Sequence, residues 1–327
     1  TLKSQTTYKM KKLFSTIICC LICSTAFMQV KPEWQDETIP FVGKEYPRTA
    51  FMTYSDVNKA RSNDFNTSTD YKSLNGKWKF NWVPSYKKRP MNFYKTDFDD
   101  SAWGEIDVPA NWEVNGYGNA LYTNHPYEFC PRNPQPPLLP EENPVGSYRK
   151  YIEIPEQWNG KEIFLHIGAV KSGCYLYVNG TKVGYSEDSK DAVEYNITRY
   201  LKPGRNLIAL EVYRWSTGSY LECQDFWRIS GIERDVYLYS TPKQYIADYK
   251  VSASLDKEKY KEGIFNLEVT VEGPSATASS IAYTLKDASG KAVLQDAINI
   301  KSRGLSNFIA FDEKKIAEVK AWNAEHP

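Results

Sequence analysis

The stretch CYLYVNGTKVGYSED, Cys174 to Asp188, sets two strand-like runs on either side of Asn179-Gly180. Asn-Gly is the strongest short-range hairpin signal, because both positions tolerate positive φ and the resulting turn matches the twist of the strands it joins. A tight antiparallel hairpin is predicted here. Upstream, GKWKFNWV (76–83) puts Trp78, Phe80 and Trp82 on one face and Lys77, Lys79 and Asn81 on the other, the pattern of a half-buried strand. Downstream come AVEYNITRYL (192–201), a Pro203-Gly204 turn and NLIALEVYRW (206–215), in which Ile208, Leu210 and Val212 alternate with smaller or polar neighbours. Short strands at regular spacing, with no helical period between them, predict an all-β antiparallel sandwich rather than a parallel α/β sheet.

After IERDVYLYS (232–240) the chain passes Thr241-Pro242 and starts new alternations at YIADYKVSASL (245–255), FNLEVTVEG (265–273) and SSIAYTLKD (279–287). With Gly273-Pro274 and Ser289-Gly290 as turns, these predict a second, smaller sandwich of immunoglobulin type. The sequence stops at WNAEHP (322–327) with no closing strand, so this sandwich is expected to be incomplete. Two domains also suit a length of 327 residues. Lysine and arginine number 41 against 40 acids, and a net charge of +1 offers no basic field for nucleic acid. The aromatic fraction is high at 14%, which serves sandwich cores and sugar-stacking surfaces equally well.

From Met10 the chain reads MKKLFSTIICCLICSTA, with two lysines, an apolar run from Leu13 to Cys23, then Ser24 and Ala26. This is the layout of a secretory signal peptide cut after Ala26, and residues 1–26 are read as a leader. The apolar run is shorter than the roughly 20 residues of a spanning helix, so no membrane span is expected. A bacterial secreted or periplasmic location follows. Lipid anchoring at Cys19, Cys20 or Cys23 is disfavoured, because bulky residues or cysteine precede each. Outside the leader remain Cys130, Cys174 and Cys223, which cannot all pair within one chain and have neither CxxC spacing nor a nearby histidine cluster. Free thiols are expected, and no zinc or redox motif.

Between Asn111 and Ser147 the alternation gives way to a segment with seven prolines, yet Trp112, Tyr117, Tyr122, Tyr127 and Phe129 punctuate it. So many aromatics predict an ordered loop over one end of the sandwich rather than disorder. A second unusual stretch, SYLECQDFWRISGIERDV (219–236), sets Glu222 and Asp225 among Tyr220, Phe226 and Trp227. Aromatics that seek burial do not crowd around acids in a plain solvated loop.

The motifs VPANWEVNGYGNALYTN (108–124), ENPVGSYRK (142–150), YVNGTKVGYSEDS (177–189) and RWSTGSYLECQDFWRISGIERDV (214–236) together resemble the N-terminal part of the β-galactosidases of glycoside hydrolase family 2. The resemblance is strong from about Leu74 to Ala247. It implies a jelly-roll sugar-binding domain over 27–240 and a truncated immunoglobulin-like sandwich over 241–327. A TIM barrel carrying both catalytic glutamates would follow, so no catalytic residue is expected in this chain. Glu222 and Asp225 are not read as the carboxylate pair, about 5 Å apart, of a retaining glycosidase. By resemblance, Asn124 of the YTN motif hydrogen-bonds galactose and Asp225 of the QD motif contacts a sugar hydroxyl and ligates sodium. Magnesium would enter only through the absent barrel. An amide both donates to and accepts from hydroxyls, and a carboxylate is a hard oxygen ligand for a hard cation. Glu222, His125 and Trp112 are candidates for supporting contacts; the compared galactosidases usually carry a residue other than histidine at 125.

Taken without the family, Asn124 reads as a turn residue before His125-Pro126, and Asp225 as the partner of Arg228 or Arg234. Trp112 and Trp227 read as core tryptophans rather than stacking surfaces. The sequons at Asn66, Asn179 and Asn196 are expected to be unmodified behind a bacterial leader. The implied partners are β-galactoside glycans, with homo-oligomerisation of the whole protein open. A free-standing carbohydrate-binding module and a family 2 glucuronidase or mannosidase are the competing functions.

Overall fold

The structure, a computed structural model, describes residues 31–274, 280–302, 307–317 and 319–325. The leader, with Cys19, Cys20, Cys23 and the expected cleavage point after Ala26, lies outside the described residues.

Two antiparallel sheets face each other across the first sandwich. The larger has seven strands in the spatial order Phe41–Val42, Thr181–Ser186, Gly173–Val178, Arg205–Tyr213, Val145–Glu153, Gly76–Val83 and Gly104–Val108. The smaller orders Val193–Asn196, Glu162–Ile167, Val236–Thr241 and Tyr71–Ser73. Trp78, Phe80, Tyr148, Leu176, Ile208, Leu210 and Val212 from the first sheet meet Leu165, Ile167 and Leu238 from the second in one buried cluster. Each fully buried side chain of this size stabilises by about 1.5–3 kcal/mol, which makes this layer the main source of stability. Asn179 and Gly180 make the predicted turn with φ of 50° and 88°. Among the described residues α-helix is confined to Val57–Ser62, whose N-cap Asp56 accepts from the amides of Asn58 and Lys59.

The alternation in Arg205–Tyr213 predicts one buried face, and the structure buries both. Leu207 and Ala209 lie beneath Phe93, while Tyr213 stacks on Trp34 with centroids 4.8 Å apart. Irregular segments rather than a third sheet make this cover, and they carry no period by which sequence could announce them. Cys174 sits in the main core, where burial raises its thiol far above the usual range. Cys130 and Cys223 are half-buried free thiols.

The second sandwich sets Tyr245–Leu255, Gly263–Glu272, Asn307–Ile316 and Lys301–Ser302 in one sheet against the Ser280–Lys286/Ala292–Asn299 pair. Strict alternation along Gly263–Glu272 buries Phe265, Leu267, Val269 and Val271. The Tyr245–Leu255 strand pairs on one side only and is largely exposed. The segment around Thr49 ties the sandwiches together. The Thr49 amide donates to Asp248 at 2.9 Å and its hydroxyl to the Tyr249 carbonyl at 3.0 Å, while the Phe51 and Tyr249 rings meet at 5.4 Å.

Candidate functional site

The proline-rich loop is ordered and lies on the 214–228 segment at one end of the first sandwich. Asn143, fully buried, donates to the Trp215 carbonyl at 2.8 Å and accepts from the Trp215 amide at 3.1 Å. Phe129 and Tyr127 each pack on Tyr220 at 5.1 Å, and the Tyr220 hydroxyl donates to the Leu138 carbonyl. Deeper in the loop, Glu113 accepts from the Ser230 amide at 2.8 Å and lies 3.0 Å from Arg214. Burial raises its carboxyl against the pull of these partners. The quoted motifs are thus one cross-braced assembly.

From that base projects a two-stranded ribbon, Leu121–Thr123 against Phe226–Arg228, with Thr123 opposite Phe226 and Tyr122 opposite Trp227. The paired register ends at Thr123 and Phe226, and the next residues out, Asn124 and Asp225, stand exposed at the ribbon's open end. The Phe226 amide returns to the Gln224 carbonyl at 3.0 Å, so Asp225 occupies the centre of a three-residue turn. Its Oδ1 accepts a 2.6 Å hydrogen bond from Tyr122, whose phenol is raised by that bond.

The ordinary ion-pair reading does not describe Asp225, whereas Asn124 does stand in a bend before His125-Pro126. Arg228 lies 3.2 Å from Glu128, and Arg234 donates to the Lys190 carbonyl, so neither neutralises Asp225. Among the described residues no lysine or arginine pairs with it. The turn before Pro126 is closed by the Thr123 hydroxyl, which accepts from the His125 amide at 2.9 Å, leaving the Asn124 amide without a hydrogen bond among the described residues. His125 is exposed and its ring reaches the Pro126 carbonyl.

Glu222 points elsewhere. Its carboxylate accepts from both the amide and the hydroxyl of Ser189, and burial raises its pKa despite those bonds. It fastens the loop behind Asp225. Trp112 is a core residue, only 1% exposed, with its indole N–H donating to Tyr148. Trp227 departs from the core expectation at 54% exposed, with its ring set edge-on to Tyr122 at 5.8 Å. A two-stranded ribbon beyond the sandwich end has no second layer to bury it.

Sequence reading missed Tyr122 as the partner of Asp225, Lys171 beside Phe226, and Glu128 as the acid that Arg228 meets instead of Asp225. The YTN motif names Tyr122, but only the register aims its hydroxyl. As for cations, an exposed carboxylate without a basic partner is one hard oxygen ligand of the several that a hard ion takes. Among the described residues no cluster of three or more His, Cys, Asp or Glu could hold a metal.

Residues 71–242 match the profile of the glycosyl hydrolases family 2 sugar binding domain, and residues 244–327 match the profile of glycosyl hydrolases family 2. A β-galactosidase of Priestia megaterium is 36% identical over 90% of this chain, and one of Halalkalibacterium halodurans 37% identical over 78%. The chain spans 29% and 25% of those two proteins. In fold it is similar to a β-glucuronidase of Bacteroides uniformis, with a TM-score of 0.62 over 78% of this chain and 29% of that one at 22% identity. The braced jelly-roll end, the smaller sandwich behind it and these matches agree, and the chain belongs to glycosyl hydrolases family 2, of which it carries the sugar-binding and immunoglobulin-like parts.

Proposed function

We propose that this chain is the non-catalytic N-terminal part of a retaining β-galactosidase that releases terminal, non-reducing β-D-galactose. In this reading Asn124 and Asp225 form one wall of the sugar pocket, and Asp225 also ligates sodium. The observation that carries it is that both stand exposed at the ribbon's open end, with no arginine or lysine on the carboxylate among the described residues. Asn124 would both donate to and accept from a sugar hydroxyl, and Asp225 would accept from one. Bound sodium would supply a fixed positive charge for sugar oxygens. The Tyr122 hydrogen bond limits the rotamers of Asp225, so less entropy is lost when a ligand arrives.

A galactoside is favoured over a glucuronide because the β-galactosidases named above are 36% and 37% identical, against 22% for the glucuronidase. A self-contained hydrolase built on Glu222 and Asp225 is disfavoured, since Glu222 is bound to Ser189 and not turned toward Asp225. The leader-like sequence supports secretion or a periplasmic site.

The test is to assay the full-length protein on chromogenic β-galactoside and β-glucuronide, with and without sodium, beside the isolated chain. Galactoside turnover that responds to sodium, with none from the isolated chain, is expected. Preference for the glucuronide, or turnover by the isolated chain, overturns the reading.

A further inference from the structure

Behind the ribbon lies a buried charge that the proposed sugar site does not use. Lys171 is 6% exposed, and its ammonium makes no hydrogen bond or ion pair among the described residues. Its neighbour is the ring of Phe226, 5.0 Å from the Nζ. Lys190 and Arg228 approach the same ring at 5.7 and 4.9 Å, but each also contacts an acid, Glu233 and Glu128 respectively. Lys171 has no such close acid, although Glu128, Glu222 and Glu233 lie near enough to favour its charge. Its strand, Val170–Lys171, pairs with Gly231–Ile232, which pairs in turn with Ala110–Asn111, so the amine is carried on the same small sheet that anchors both ribbon strands.

Burial disfavours the ammonium, and the nearby Glu128, Glu222 and Glu233 offset part of that cost. The closest partner of the ammonium is the Phe226 ring, and a cation–ring contact there fixes one face of Phe226. The Phe226 amide closes the turn centred on Asp225. We infer that Lys171 is a positioning residue, whose ammonium holds the Phe226 ring and thereby sets the turn that presents Asp225 to Tyr122 and to ligand. The functional part of this inference rests on the proposed β-galactosidase reading; the geometric part does not.

The experiment compares full-length wild type, Lys171→Met and Lys171→Arg. Crystal structures read the geometry directly: the methionine variant is expected to shift the Phe226 ring and lose the Tyr122–Asp225 hydrogen bond, and the arginine variant to keep it. Unchanged Phe226 and Asp225 in Lys171→Met overturns the inference whatever the substrate proves to be. On β-galactoside, Lys171→Met is expected to raise the sodium concentration for half-maximal activity about fivefold, the scale of one cation–ring contact, with Lys171→Arg near wild type. The melting temperature of Lys171→Met should stay near that of wild type, because the desolvation cost of the ammonium and its attraction to Glu128, Glu222 and Glu233 are lost together. A fall in both stability and sodium response marks an ordinary packing role and overturns the inference.

Discussion

Tyr122 reaches across the ribbon to donate a 2.6 Å hydrogen bond to Asp225, a residue 103 positions away in the chain. Two basic residues close in sequence, Arg228 and Arg234, are bound elsewhere. The carboxylate is therefore oriented by a neutral hydroxyl and has no lysine or arginine partner among the described residues.

Replacing Asp225 with Asn in the full-length protein keeps the shape and removes the charge. Loss of a charged hydrogen bond to ligand costs about 10- to 100-fold in kcat/KM for a β-galactoside, with a weakened response to sodium. Steady-state kinetics across a sodium series checks this. A wild-type sodium response removes Asp225 from the site.

Trp34 lies outside the part matched by the sugar-binding profile, yet it is 2% exposed and stacked on Tyr213. Trp34→Ala should destabilise the chain by about 3–5 kcal/mol, as for other buried tryptophans. Urea denaturation measures it. A loss below about 1 kcal/mol would mean that the 31–40 segment is not part of the folded unit.

Gly146 occupies the ladder where a Cβ would stand 2.5 Å from the Trp112 ring and 2.9 Å from Phe80. Neither ring has room to withdraw from the core. Gly146→Ala is expected to destabilise by about 1–3 kcal/mol through overpacking, read as a lower denaturation midpoint at unchanged m-value.

Glu194 predicts the acid limb of stability. Burial acts to raise its carboxyl, but hydrogen bonds from His166 at 2.8 Å and Arg48 at 2.8 and 3.0 Å prevail and hold it at about 2. A depressed carboxyl contributes stability that is present above its unfolded value, 4.5, and is lost as pH falls through 2. The gap amounts to about 3 kcal/mol. Denaturation midpoints between pH 6 and pH 2 should fall, and Glu194→Gln should flatten that slope while lowering stability at pH 6. A slope unchanged in the variant would assign acid sensitivity to other groups.

Much of this was legible in one dimension. The Asn179-Gly180 turn, the inward faces of the strands around it and the second set of alternations follow from local φ preferences and period-two burial, which neighbours in sequence specify. The motif resemblance likewise named Asn124 and Asp225. What only the tertiary structure decided is which partners they have. The tertiary fold brought Asn124 and Asp225 to the open end of one ribbon, aimed the Tyr122 hydroxyl at the carboxylate, drew Arg228 to Glu128, turned Glu222 to Ser189 and set Lys171 against Phe226. It also pressed Trp34 and Phe93 onto a strand face that alternation marks as open. Those contacts join residues far apart in the chain, and no periodicity encodes a long-range pairing, because the free energy that selects it exists only once both surfaces have formed.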